Sequence, residues 1–167
     1  MDNEAKKTAL RMIPYGLYVL TAEADDGSCG AATVNWVTQA SFAPPLVAVG
    51  VKADSSVHGV VETAGAFALN VLGKGQEGLA YGFFKPATRE EGSIGGQPCR
   101  KGSTGALILE AAPAFVECKV VSKVAEGDHS IFIGEVVAAG VAQEPDGRAD
   151  EATLWLRDLG EKVFYGG

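Results

Sequence analysis

The sequence is short of the residues that build metal centres and disulfide frameworks. Only three cysteines (Cys29, Cys99, Cys118) and two histidines (His58, His129) occur in 167 residues. No C-x-x-C pair is present, and the odd, scattered count reads as reduced thiols in a cytoplasmic protein. So few soft ligands argue against zinc, and no metal is expected. Basic residues are also scarce: 14 Lys and Arg stand against 21 Asp and Glu, a net charge of −7. That disfavours nucleic acid, whose phosphates need a positive field. It does not disfavour a small anion held in a local pocket. No apolar run approaches the ~18 residues of a membrane span, and the opening MDNEAKKT has no signal-peptide character. No repeat or composition break divides the chain, so residues 1–167 are expected to form one domain.

What is present is a series of short strand patterns. A helix is expected over 3–12, capped by Asp2 or Asn3 and stopped by Pro14. Strands are expected over 16–24, 30–42, 46–52, 66–72, 113–124 and 130–142. In 113–124, Val116, Cys118 and Val120 face one way, and Glu117, Lys119 and Lys123 the other. Val57, Val60, Val61 and Ala64 mark an amphipathic helix that Gly65 closes. Residues 73–105 read as a short helix near 76–82 and then a long surface loop. The segment from Thr153 ends the chain as a short helix or strand with a final strand end. Six or seven strands, mostly joined by hairpins, favour an antiparallel barrel over a parallel sheet.

Two catalytic patterns fail on context. GKGQEG (Gly73, Gly75, Gly78) spells a dinucleotide fingerprint, but no apolar strand follows residue 82 to complete a β-α-β unit. Asp128, His129 and Ser130 are neighbours on one strand and point to alternate faces, so they cannot form a hydrolase triad. The segment VKADSSVHGV is more informative. Ser55 and Ser56 stand at a helix N-terminus beside Lys52, where hydroxyls, free N–H groups and a cation can cradle a phosphate. The alternative is that Ser55 only caps the helix. One strand earlier, Thr33, Asn35, Thr38, Gln39 and Ser41 crowd uncharged polar groups into an apolar run. They suit the rim of a planar heterocycle, or the wet face of an antiparallel strand. His129, in an accessible turn, is a candidate substrate contact. Phe83 and Phe84 read as core anchors or as an aromatic lid.

The ordered set GLYVLTA, GAATVNWVTQASFAPPLVAVGV, FALNVL, PAFVEC, GDHSIFIGEVVAA and the terminal YGG resembles the flavin reductase-like, FMN-binding split-barrel family. NWVTQASFAPP looks especially like the flavin-reductase modules fused to flavodiiron proteins and like stand-alone flavoredoxins. The resemblance implies a mainly β, antiparallel, Greek-key split barrel that forms a homodimer, with FMN near the interface. It implies NAD(P)H as co-substrate, and a monooxygenase or redox protein as partner. Thr33, Val34, Asn35, Trp36, Thr38, Gln39 and Ser41 would line the ring and ribityl chain, and Lys52, Ser55 and Ser56 the phosphate. Asn70, Phe84, Lys85 and Tyr165 would approach the flavin, and His129 would face the nicotinamide or the flavin edge as the catalytic residue. Arg89 or Lys101 would add positive charge for anionic cofactors. The function implied is an NAD(P)H-dependent flavin reductase; the alternative is an FMN electron carrier serving a protein partner. Val57 departs from the pattern, since many relatives carry a phosphate-touching threonine there.

Overall fold

Valine, threonine and aromatic residues recur at alternate positions through much of the chain, and the backbone pairs as antiparallel strands. The computed structural model describes residues 1–166. In chain order it runs α1 (Asn3–Arg11), β1 (Tyr18–Glu23), β2 (Cys29–Val34), β3 (Val37–Phe42), β4 (Pro45–Lys52), α2 (Ser56–Ala64), β5 (Ala66–Val71) and α3 (Glu77–Gly82). It continues with β6 (Arg89–Glu90), β7 (Ser93–Ile94), β8 (Gln97–Lys101), β9 (Leu107–Leu109), β10 (Ala114–Val124), β11 (His129–Val141) and α4 (Ala149–Ala152). A 3-10 turn at Leu156–Leu159 follows.

Seven strands form one antiparallel sheet in the order β2-β1-β5-β10-β11-β4-β3. Leu20, Val34, Val49, Phe67, Cys118 and Phe132, from six of those strands, meet in one buried cluster. The sheet is therefore curled around a shared interior, but it does not close, because β2 and β3 remain as edges. The architecture is the expected open antiparallel barrel. Helix α2 packs on β1 and β2. It lies so close that a Cβ on Gly30 would stand 3.0 Å from Val57 Cα. Burial pushes the Cys118 thiol up to about 12, with the Glu117 charge adding to the effect.

The strand expected over 30–42 is in fact two. Pairing stops at Asn35 and Trp36. Before the break, Val34 pairs with Tyr18 of β1; after it, Val37 pairs with Val49 of β4. One continuous pattern thus serves two separate edges of the sheet.

The expected loop over 83–105 is also different. It contains most of a second antiparallel sheet, β6-β7-β8-β9. Ile94, Leu107 and Leu109 are buried against Leu17, Val19 and Leu72. Strands of two or three residues are too short to show a period in sequence. Asn70, fully buried on β5, ties this layer to the main sheet. Its Nδ2 donates to the Val19 carbonyl at 3.1 Å and to Thr21 Oγ1 at 3.2 Å, and its Oδ1 accepts from the Leu109 N–H at 2.8 Å. Asn70→Ala leaves several of these groups unpaired and is expected to cost about 2–4 kcal/mol of stability, read from urea unfolding.

Glu117 sits on the outward side of β10, as the alternation predicts, yet it is only 3% exposed. The loop before β9 covers that face. The carboxylate accepts from the Ser103 N–H at 3.1 Å, the Thr104 N–H at 2.9 Å and the Thr104 hydroxyl at 2.8 Å. Burial pushes its pKa up, but the bonds from Thr104 and Ser103 outweigh this and hold the carboxyl below its usual 4.5. A folded-state pKa below the unfolded one gives stability that is present above the unfolded value and lost as pH falls through the folded one. Wild type is therefore expected to lose more stability than Glu117→Gln between about pH 5 and 3, measured by unfolding across that range.

Candidate functional site

A cavity of about 360 Å³ opens where the chain leaves β2. Thr33, Val34 and Asn35 form one wall, and Gly50, Val51 and Lys52 at the end of β4 form another. Ser55 and Val57 come from the start of α2, Phe83 and Phe84 follow α3, and Val163, Phe164 and Tyr165 cross from the C-terminal segment.

The break between β2 and β3 shapes the floor. The Gly50 N–H donates to the Trp36 carbonyl at 2.8 Å. The Trp36 indole lies over Gly50, where a Cβ would stand 3.1 Å from Cε3, so only glycine leaves room for the ring. The indole then packs against His129 at 4.4 Å and Tyr165 at 5.4 Å between centroids. Among the described residues, Asn35 Nδ2 and Trp36 Nε1 are buried with no hydrogen-bond partner. Buried N–H donors are rarely left unpaired. Asn35 lines the cavity, where its donor fits a ligand whose polar edge accepts hydrogen bonds; Trp36 lies outside the lining.

The phosphate cradle and the simple cap predict different geometries for Ser55. Ser55 is the N-cap residue of α2, but it makes no side-chain capping bond. Its hydroxyl donates to the Lys52 carbonyl at 2.7 Å. The first N–H groups of α2 therefore keep no side-chain acceptor, which leaves them for an anion. Lys52 Nζ rests 3.0 Å from Asp54 Oδ1, so an incoming phosphate would exchange with that exposed carboxylate. The Asp54 hydrogen bond raises the lysine pKa further, and the ammonium stays charged.

His129 is opposite Lys52 on the neighbouring strand. It does not line the cavity. Its Nδ1 lies 2.8 Å from Asp128 Oδ1 and its Nε2 lies 2.7 Å from the Tyr165 hydroxyl. A carboxylate only accepts, so Nδ1 carries a proton, and in the neutral imidazole Nε2 accepts from the phenol. Burial pushes the Tyr165 pKa up, which keeps that O–H in place as a donor. The bond from His129 holds the Asp128 carboxyl below its usual value. In this structure His129 meets Tyr165, which itself lines the cavity.

Several expected contacts lie elsewhere. Asn70 is saturated inside the sheet, as described above. Thr38 and Gln39 are exposed on the edge strand β3, where Ser41 is half-buried. Ser56 and Lys85 are outside the cavity lining. Thr33 reaches the wall, but its hydroxyl donates to the Ala80 carbonyl at 2.7 Å and so anchors α3. Arg89 Nε lies 3.1 Å and Lys101 Nζ 2.5 Å from the Glu23 carboxylate, so both cations are paired with one acid. Phe83 is buried as a core anchor, whereas Phe84 is 53% exposed at the cavity mouth. Leu17, Leu156, Val163 and Phe164 were not foreseen, because an apolar residue has no chemical signature that separates a cavity wall from a core.

Fold and cavity together define an open antiparallel barrel with a mainly apolar cavity that ends at Lys52 and the start of α2. The family described as flavin reductase like domain matches residues 10–159, and the chain belongs to it. The chain is 30% identical over 156 residues to the NADH-dependent flavin reductase StyB of Pseudomonas fluorescens, covering 93% of this chain and 87% of that protein. It is 33% identical over 144 residues to diflavin flavoprotein A 1 of Synechocystis sp. (strain ATCC 27184 / PCC 6803 / Kazusa), covering 86% of this chain but only 25% of that longer protein. The solved styrene monooxygenase flavin reductase (SMOB) of Pseudomonas putida S12 superposes with a TM-score of 0.69 at 30% identity, over 84% of this chain and 88% of that one.

Asn35→Ala removes an unpaired buried donor, so the ligand-free protein is expected to melt no lower than wild type. Its affinity for added flavin should fall about tenfold. Calorimetry on both forms checks the pair of effects, and a large loss of apo stability would show that Asn35 supports the fold instead.

Proposed function

We propose that the protein is an NAD(P)H-dependent flavin reductase that holds FMN and passes hydride from the dihydronicotinamide to flavin N5. The observation that carries this reading is the buried donor Asn35 Nδ2, without a partner among the described residues, in the wall of a cavity that ends at the uncapped start of α2. These residues fit a flavin: a donor for the polar edge of a ring, and a cationic helix start for a phosphate. The bound flavin supplies a two-electron acceptor that no side chain provides.

The protein's own task is to orient and to exclude water. Lys52 and the α2 N–H groups would hold the phosphate, with the Ser55 hydroxyl bracing the Lys52 backbone through its bond to the carbonyl. Trp36 packs on Gly50, which lines the cavity. Tyr165, held by His129 and Asp128, closes the side formed by the C-terminal segment. No acid–base pair is required, because hydride transfer needs two planes in contact and leaves the proton balance to solvent.

The same reading extends to assembly and setting. A homodimer would cover Phe42, 90% exposed on β3, together with Val121, Ile131, Val137 and Val141, which are 44–58% exposed on β10 and β11. A monooxygenase or a redox protein is proposed as the acceptor's user, by analogy with the styrene monooxygenase reductase. Three unpaired thiols suit the cytoplasm.

Anaerobic mixing of the FMN-loaded protein with NADH or NADPH is expected to bleach the flavin at about 1–10³ s⁻¹. Bound FMN that neither donor reduces would favour the electron-carrier reading. A second test isolates the cradle. The double variant Ser55→Ala, Ser56→Ala should weaken FMN about tenfold while leaving riboflavin, which has no phosphate, nearly unaffected. Equal losses for both ligands would mean that the serines serve the helix alone.

A further inference from the structure

A second cavity of about 240 Å³ lies beside the first. Leu156, Val163 and Phe164 wall both, so one layer of side chains separates them. Its chemistry is unlike the rest of this acidic chain. Arg11 and Arg157 line it, with Tyr15 and Trp155, and no carboxylate does among the described residues. Asp158, next in sequence to Arg157, is turned to other work: it pairs with Lys74 and accepts from the Trp155 N–H at 2.8 Å. Each guanidinium lies over an aromatic ring, Arg157 over Trp155 at 5.0 Å and Arg11 over Phe164 at 4.3 Å. Arg11 Nε donates to the Gly166 carbonyl at 3.4 Å; stacking fixes the plane of each guanidinium, and its remaining edge N–H groups can meet a phosphate. The aromatic surfaces that remain suit a purine.

We infer that this second cavity binds the adenosine phosphate end of a dinucleotide whose other end occupies the flavin cavity. The inference rests on the function proposed above. A net charge of −7 repels a polyanion everywhere except where cations are gathered without acids, and this cavity is such a place. Its shared wall with the first cavity lets one ligand reach both across the half-exposed Phe164. Two ligands carry this chemistry, the nicotinamide dinucleotide donor and FAD, and the experiment separates them.

Adenosine 5′-diphosphate is titrated into the FMN-loaded protein by calorimetry. Binding is expected, weakened about tenfold by Arg157→Gln and similarly by Arg11→Gln, whose substitution lies on a different element. In turnover, the KM ratio between NADH and reduced nicotinamide mononucleotide, which lacks the adenosine, is expected to rise about tenfold in Arg157→Gln if the donor is the occupant. If FAD is the occupant, the variant instead loses FAD affinity relative to FMN. Absence of diphosphate binding to wild type, or identical binding to wild type and both variants, would overturn the inference. Diphosphate binding that depends on Arg157, in a protein whose flavin neither NADH nor NADPH reduces, would keep the subsite and remove the reductase reading.

Discussion

The site depends on one interruption in backbone pairing. At Asn35 and Trp36 the chain leaves the β1 ladder and first meets β4 through the Gly50 N–H, ahead of the regular pairing that starts at Val37. A closed barrel would have paired these two residues and filled the space with side chains. The open barrel uses them to cross from one edge to the other, held by the bond from Gly50 to the Trp36 carbonyl. Two consequences follow from that crossing. A cavity remains between the edges, and two side-chain donors are carried inward without a protein acceptor among the described residues. Buried donors cost free energy when unpaired. A fold that keeps them has a use for them outside its own hydrogen-bond network.

Electrostatics divides the cations of this acidic chain into two groups. Arg89 and Lys101 share Glu23 and serve to pin the small β6–β9 layer. Lys52, Arg11 and Arg157 stand at cavities, where among the described residues only Lys52 has a carboxylate partner, the exposed Asp54. Salt-screened attraction at exposed pairs is weak, so Asp54 holds Lys52 only loosely.

His129 illustrates how a polar residue near a site differs from one in it. Its ring is fully engaged, by Asp128 on one side and Tyr165 on the other. Through Tyr165 it fixes the C-terminal segment against Trp36. That arrangement couples the end of the chain to the floor of the cavity, and Val163 and Phe164 on the same segment divide the two cavities. The shape of the cavity is therefore set by packing at the chain's end as much as by the strands.

The order of strands, the amphipathic α2 and the polar crowd before β4 were legible in the sequence, because period and composition are local properties. Ser55 at the start of α2 and Asn35 in its polar run were legible for the same reason. Local patterns cannot say which neighbour a strand finds, and so the 30–42 run concealed its break. They cannot say what covers a face, and so Glu117 looked wet and Asn70 looked like a ligand contact when each is sealed by residues far along the chain. Whether Ser55 capped its helix, whether His129 met the cavity or Tyr165, and whether Arg89 or Arg157 stayed free of acids were decided only when distant segments came within a few ångströms. Charge and hydrogen-bond pairing are settled at that range, and sequence separation does not measure it.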